Sequence, residues 1–242
     1  MGVITTINLH KTYHETKIPV KAVNGIDISF SEGEFTAIVG PSGSGKTTFL
    51  NLIGGLDVPT EGEVLINGTN ITTLSSKQLI DFRLHNIGFV FQSYNLIPVL
   101  TARENIEFIM LLQRVPRAER ERRTVELLRA VGLEDKIDER PGDLSGGQQQ
   151  RVSVARALAS KPRFILADEP TANLDSKSTE NLLDIMERLN HEEKITFIFS
   201  THDARVVNKA HRIITIEDGK VISDKTSPPD PPLLRKKKGI RG

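Results

Sequence analysis

The stretch Gly40–Thr47, reading GPSGSGKT, restricts this chain more than any other. It follows the short apolar run Phe35–Val39 (FTAIV) and precedes a helical run, Thr48–Ile53. Strand, glycine-rich loop, Lys-Thr and helix in that order satisfy every fixed position of the phosphate-cradling pattern G-x-x-x-x-G-K-[ST]. The glycines allow backbone N–H groups to curl around an anion without Cβ clashes. The helix that follows adds the positive end of its dipole. Lys46 can reach terminal phosphates, and the Thr47 hydroxyl can ligate Mg²⁺.

A loop of this kind needs a sheet behind it. Two further apolar runs, Phe164–Ala167 (FILA) and Ile195–Ser200 (ITFIFS), are separated by helical patterns at Gly147–Ala159 and Ser178–Leu189. Such alternation predicts a parallel sheet with helices on both faces. The first third reads as β structure, with Val3–Leu9 as a first strand and a hairpin turning at Asn67-Gly68 after Val64–Ile66. Ile213–Glu217 and Val221–Ser223 flank Asp218-Gly219 in a last hairpin. No strand-like run occurs between about 93 and 160, and Arg117–Val131 has Leu127, Leu128 and Val131 as its apolar face. The expected fold is α/β: a P-loop NTPase core of mostly parallel sheet with flanking helices. To it are added an N-terminal antiparallel β region and a helical subdomain inserted at about 93–160. One domain is expected over 1–225, with 226–242 as a disordered tail, proline-rich and then basic (RKKK).

The ends of the expected strands carry polar groups suited to phosphate chemistry. Asp168 closes FILA at the edge where ligands bind in open α/β sheets, and an ionised Asp there suits a metal. Glu169 follows it and can orient or deprotonate a water. His202 ends ITFIFSTH on the same edge, placed to touch phosphate or water. Gln92, after the run Gly88–Phe91 (GFVF), is a weaker candidate, since a glutamine there can simply cap the strand.

A second anion-binding pattern stands at Leu144–Arg151, LSGGQQQR. Ser145 with Gln148 forms the S-x-x-Q of a capping box, opening a helix whose apolar stripe is Val152, Ala155 and Leu158. Capping accounts for Ser145 and Gln148 but requires neither Gly146 nor Gly147. Each interior glycine costs a helix about 1 kcal/mol, so the pair suits a place where a ligand approaches the backbone closely.

Together these pieces resemble the ATP-binding subunits of ABC transporters, over nearly the whole of Val3 to Ser223. GPSGSGKT is similar to their Walker A loop, Gln92 in FVFQSYNL to the Q-loop and LSGGQ to the signature. FILADE is similar to Walker B, Asn173–Asp175 (NLD) to the D-loop, and His202 in STHD to the switch histidine. The resemblance implies that Tyr13 stacks on adenine and that the P-loop residues Gly40, Pro41, Ser42, Gly43, Ser44, Gly45, Lys46, Thr47 and Thr48 surround the phosphates. Lys46 would be the charged contact, and Thr47, Gln92 and Asp168 would serve Mg²⁺. Glu169 would be the general base, with His202 holding the γ-phosphate and the attacking water. It further implies a head-to-tail dimer in which Ser145, Gly146, Gly147 and Gln148, with Asp175 of the D-loop, meet ATP held by the other copy. A finer likeness is to the lipoprotein-release and macrolide- or peptide-export branch, carried by GGLDVPTEGEV, FVFQSYNLIPVLTARENI and LADEPTANLDSKS. Ala172 departs from that branch, where glycine is usual.

Composition adds exclusions. The chain has 242 residues and no cysteine, so disulfides and thiolate metal sites are ruled out. A formal net charge of +1 gives no reason to expect a nucleic-acid partner. No apolar run approaches the eighteen or so residues needed to cross a bilayer. The implied partner is therefore a separate transmembrane permease, docked around Asn95–Leu100, with the chain on the cytoplasmic face of the cell membrane. A non-transport ATPase of the same superfamily, acting in cell division or cofactor assembly, is the other reading that these residues leave open.

Overall fold

The computed structural model describes residues 2–14 and 19–226. The expectation of a disordered tail therefore falls almost wholly on 227–242, outside the described residues.

A six-stranded sheet forms the centre. Its strands are β3 (Phe35–Val39), β6 (Ile87–Val90), β7 (Phe164–Asp168), β8 (Thr196–Ser200), β9 (Arg212–Glu217) and β10 (Lys220–Thr226), in the order β10-β9-β3-β8-β7-β6. The pairs β9–β3, β3–β8, β8–β7 and β7–β6 are parallel, and β10 closes the edge as an antiparallel hairpin with β9.

Alternation along the buried strands explains why both faces need cover. In β7, Phe164 and Leu166 join one apolar cluster while Ile165 and Ala167 join the other; in β8, Ile198 and Phe197/Phe199 divide the same way. The first cluster is completed by α1 (Lys46–Ile53) and by a four-stranded antiparallel sheet. That sheet contains β1 (Ile4–Tyr13), β2 (Val20–Phe30), β4 (Glu61–Ile66) and β5 (Thr69–Asn70), in the order β2-β1-β4-β5. The expected first strand thus runs four residues further, to Tyr13.

The other cluster is completed by α3 (Ala102–Leu112), α4 (Arg117–Ala130), α5 (Gly146–Ala159) and α6 (Ser176–Glu193). Leu127, Leu128 and Val131 are buried in it, as are Val152, Ala155 and Leu158 of α5. Two short helices, α2 (Ser76–Asn86) and α7 (Ala204–Lys209), precede β6 and β9. Among the described residues no strand lies between Val90 and Phe164.

Candidate nucleotide-hydrolysis site

The phosphate loop joins β3 to α1. The helix begins at Lys46, two residues earlier than the apolar pattern suggests, with Gly45 as its cap at φ 101°. Pro41, Ser42 and Gly43 are exposed at the loop's crest, as is Thr47. Gly40 and Gly45 are required by the chain's own backbone. A Cβ would come within 2.0 Å of the Ile216 carbonyl at the first and of the Ala22 carbonyl at the second. The loop is therefore wedged between β9 and β2. Lys46 Nζ donates to the carbonyls of Gly40 and Pro41, both at 2.9 Å, which holds the ammonium across the loop.

Beside it the ends of β7 and β8 meet. Thr47 Oγ1 donates to Asp168 Oδ1 at 3.1 Å, joining the P-loop helix to the strand. Burial holds the Asp168 carboxyl above the ordinary range, opposed in part by its hydrogen bond from Thr47. Hydroxyl and carboxylate are both hard oxygen donors, so the pair fits Mg²⁺. Among the described residues no cluster of three or more His, Asp or Glu could hold a metal unaided. A cation here would draw its remaining ligands from phosphate and water.

Glu169 stands next, at φ +46°, where its N–H donates to the Ser200 carbonyl at 2.9 Å. The left-handed turn swings its side chain away from the strand direction. Glu169 Oε1 lies 2.8 Å from His202 Nδ1, so the two residues expected to handle the water are in direct contact. The loops carrying them are also joined by Thr171 Oγ1 donating to Asp203 Oδ2 at 2.9 Å, and Arg205 grips the same carboxylate.

Gln92 is exposed beyond β6, and its carbonyl accepts from Asn173 Nδ2 at 3.0 Å. This contact belongs to a knot of loops that motif reading missed. Gln150, wholly buried in α5, donates to the carbonyls of Phe91 at 3.2 Å and Pro170 at 2.7 Å. Arg156, one turn and a half further, donates to the carbonyls of Tyr94 and Asn95, two consecutive residues at positive φ. The Tyr94 hydroxyl donates to the Asn173 carbonyl at 3.4 Å. Four side chains thereby bind the signature helix, the segment after β6 and the segment after β7 into one assembly.

The signature begins with a complete capping box. Ser145 Oγ accepts from Gln148 N–H at 3.3 Å, and Gln148 Oε1 accepts from Ser145 N–H at 2.8 Å. The glycine pair has an internal reason as well. A Cβ on Gly146 would meet the Tyr94 hydroxyl at 2.7 Å, and one on Gly147 would meet Ser178 Oγ at 2.7 Å. Asp175 is the N-cap of α6, accepting from the Ser178 N–H at 2.9 Å and its hydroxyl at 2.7 Å. Ser145 and Gly147 line a small cleft of about 160 Å³ with Arg151, Lys177, Ser178 and Asn181. The P-loop residues Gly43 to Thr48 line a different one, of about 290 Å³, shared with Tyr13, Val20 and Ala22. The structure thus brings Tyr13 to the phosphate loop and Thr47, Asp168, Glu169 and His202 to the adjoining strand ends. The signature stays apart.

The family model described as ABC transporter matches residues 23–172. An uncharacterized ABC transporter ATP-binding protein of Thermotoga maritima is 48% identical over 219 residues, covering 90% of this chain and 93% of that one. The macrolide export ATP-binding/permease protein MacB of Brucella melitensis is 48% identical over 216 residues, 89% of this chain; the match spans only 33% of MacB. Among solved structures, the dimeric cassette MJ0796, a Methanocaldococcus jannaschii protein, superposes with a TM-score of 0.85 at 44% identity, covering 92% and 98% of the two chains. The same cassette in a dimeric post-hydrolysis state bound to ADP and Pi gives 0.84 at 43% identity, with the same coverage.

Proposed function

The chain belongs to the ABC transporter family as an ATP-binding cassette ATPase, and we propose that it powers a membrane exporter as a head-to-tail dimer closed by ATP. The observation that carries the dimer is the separation of the two clefts. The phosphate loop, Thr47, Asp168, Glu169 and His202 gather at one sheet edge, while Ser145 and Gly147 line another cleft. A second copy can bring its signature to the phosphates that this chain holds, and the dimeric state of MJ0796 supports that geometry.

In this reading the N–H groups of Ser42 to Thr48 wrap the phosphates and Lys46 exchanges its loop carbonyls for phosphate oxygens. Tyr13 takes the base. Thr47, Asp168 and Gln92 hold Mg²⁺, which when bound neutralises charge on the phosphates. Glu169 accepts the proton of the water attacking the γ-phosphorus, and His202, in contact with Glu169, holds water and phosphate in line. Catalysis is positioning and charge stabilisation, with no covalent intermediate.

The permease belongs at a second place. An apolar groove of about 430 Å³ runs between α2, β6, α3 and α5, lined by Leu56, Ile80, Leu84, Phe91, Ile109 and Leu112 among others. Ile80 and Leu112 remain more than half exposed, and Leu56 beside them is exposed too, so the groove's rim is a contiguous apolar surface. Asn95 and Arg156 also line it, so an occupant touches the segment after β6 and reaches the knot of loops. Asn105 fixes the neighbouring docking segment through four hydrogen bonds to Ile97, Leu100 and Thr101. We place a permease segment in this groove, with the chain on the cytoplasmic side of the membrane. MacB, which by its name joins the two activities in one chain, supports the pairing.

Glu169→Gln tests the central claim. With saturating ATP and Mg²⁺ it should elute from gel filtration as a stable dimer, and as a monomer without nucleotide. A variant that stays monomeric under both conditions overturns the ATP-closed dimer.

A further inference from the structure

Asp57 sits between two side chains of β1. Its Oδ1 accepts from Lys11 Nζ at 2.6 Å and its Oδ2 from the Tyr13 hydroxyl at 2.8 Å. Lys11 Nζ also donates to the Val58 carbonyl at 2.8 Å and lies 4.9 Å from the centroid of the Tyr13 ring. The strand end and the loop are stitched once more, by Thr12 N–H to Thr60 Oγ1 at 2.9 Å and Thr60 N–H to the His10 carbonyl at 2.8 Å.

The loop carrying Asp57 is the exit of α1, and the entrance of α1 is the phosphate loop. Asn51 in the last turn accepts from the N–H groups of Leu56 at 2.8 Å and Asp57 at 3.3 Å. A circuit therefore runs from Lys46 and Thr47 along one helix of eight residues to Asp57, and from Asp57 to the Tyr13 hydroxyl. Each contact that pre-orders a partly exposed tyrosine lowers the cost of ordering it on ligand binding. The carboxylate fixes the far end of the ring, while the ammonium covers one of its faces. Tyr13 lines the cleft above the phosphate loop, whereas Lys11 does not. The ring thus borders the cleft, while Asp57 and Lys11, which hold it, stand outside the cleft's lining.

We infer that Asp57 and Lys11 are positioning residues for the nucleobase, holding the Tyr13 ring at a set distance from the phosphate loop so that base and triphosphate are bound as one unit. This rests on the proposal that Tyr13 stacks on the base. The two ideas separate experimentally by comparing ATP with inorganic tripolyphosphate, which offers the phosphates alone.

Tyr13→Ala should weaken ATP binding about 10-fold, in the range of base–aromatic stacking, and leave tripolyphosphate unchanged. Lys11→Met and Asp57→Asn should each weaken ATP about 3- to 10-fold with tripolyphosphate unchanged. In steady-state hydrolysis both should raise KM with kcat retained, and neither should add to the loss in a Tyr13→Ala background. If Tyr13→Ala treats the two ligands alike, the base reading itself falls. If Tyr13→Ala is selective but Lys11→Met and Asp57→Asn bind ATP as the parent does, only the clamp falls. Equal losses for both ligands, or losses that persist on Tyr13→Ala, make the pair a loop fastener and also overturn the inference. Should those variants fold poorly, Tyr13→Phe removes the hydroxyl alone. It should cost about 3-fold for ATP only, and parent-like affinity overturns the clamp.

Discussion

His202 Nδ1 and Glu169 Oε1 lie 2.8 Å apart, although the two side chains differ widely in exposure, 75% for the histidine and 17% for the glutamate. The histidine is thus the outward partner of a sheltered carboxylate. If His202 holds the attacking water and γ-phosphate as proposed, His202→Ala should lower kcat about 10²-fold or more while changing the KM for ATP little. Stopped-flow nucleotide binding beside steady-state turnover checks the split.

Asp168 presents a conflict between stability and chemistry. Its carboxyl is raised by burial, so the folded state holds the proton more tightly than the unfolded chain does. The sign follows from linkage: its contribution is most favourable below the unfolded pKa and is lost as pH rises through the folded value. Asp168→Asn keeps an acceptor for Thr47 and removes the charge. The variant without nucleotide should melt about 2–4 °C higher than the parent at neutral pH, in keeping with a gain of order 1 kcal/mol. That difference should shrink as the pH falls toward the ordinary carboxylate range, and ATP hydrolysis should be lost throughout. Calorimetry at several pH values reads both.

Gln150 bridges two carbonyls from a wholly buried position. Gln150→Leu is close in volume but leaves the Pro170 and Phe91 carbonyls without this donor. The expected cost is about 2 kcal/mol, the desolvation penalty of an unpaired buried acceptor. A lower urea midpoint with an unchanged slope would report it.

Arg156 reaches two consecutive carbonyls, those of Tyr94 and Asn95, with separate guanidinium nitrogens. An ammonium is a point charge and cannot reproduce that fork. Arg156→Lys should loosen the segment after β6, so that chymotrypsin cleaves beyond Tyr94 about 5-fold faster or more. Intact-mass analysis of a timed digest gives the rate.

The readable parts of this molecule are those whose signal lies in side-chain type. FTAIV and FILA are apolar because β3 and β7 are covered on both faces, and Gly40 and Gly45 of GPSGSGKT mark where no Cβ fits. Helix α3 falls inside the segment expected to be helical, whereas α2 has no counterpart among the expected elements, although each opens with a capping box as complete as that of the signature, Thr101 with Glu104 and Ser75 with Gln78. The α2 helix buries no residue fully, so apolar periodicity was silent there. At the site, the grouping of Asp168, Glu169 and His202 was legible because each stands at or just beyond the end of a buried strand, β7 or β8. Gln150, Arg156, Tyr94 and Asn173 were not, since each binds a backbone carbonyl, and a carbonyl leaves no trace in sequence. The glycine pair of the signature was read as room for a ligand. Tyr94 and Ser178 show that the chain's own side chains already use part of that room.

The four donors on α5 and its neighbours have a mechanical consequence. The signature helix lies against Tyr94 near its start and is hydrogen-bonded to its neighbours in its second turn by Gln150 and in its third by Arg156. The two hydrogen-bonding side chains lie on one helix, so the segments after β6 and after β7 share a single support. A shift of Asn95 in the apolar groove would strain its bond to Arg156 and, along α5, the bond of Gln150 to the Pro170 carbonyl, one residue beyond Glu169. Groove and glutamate are thus the two ends of one continuous run of hydrogen bonds and helix backbone.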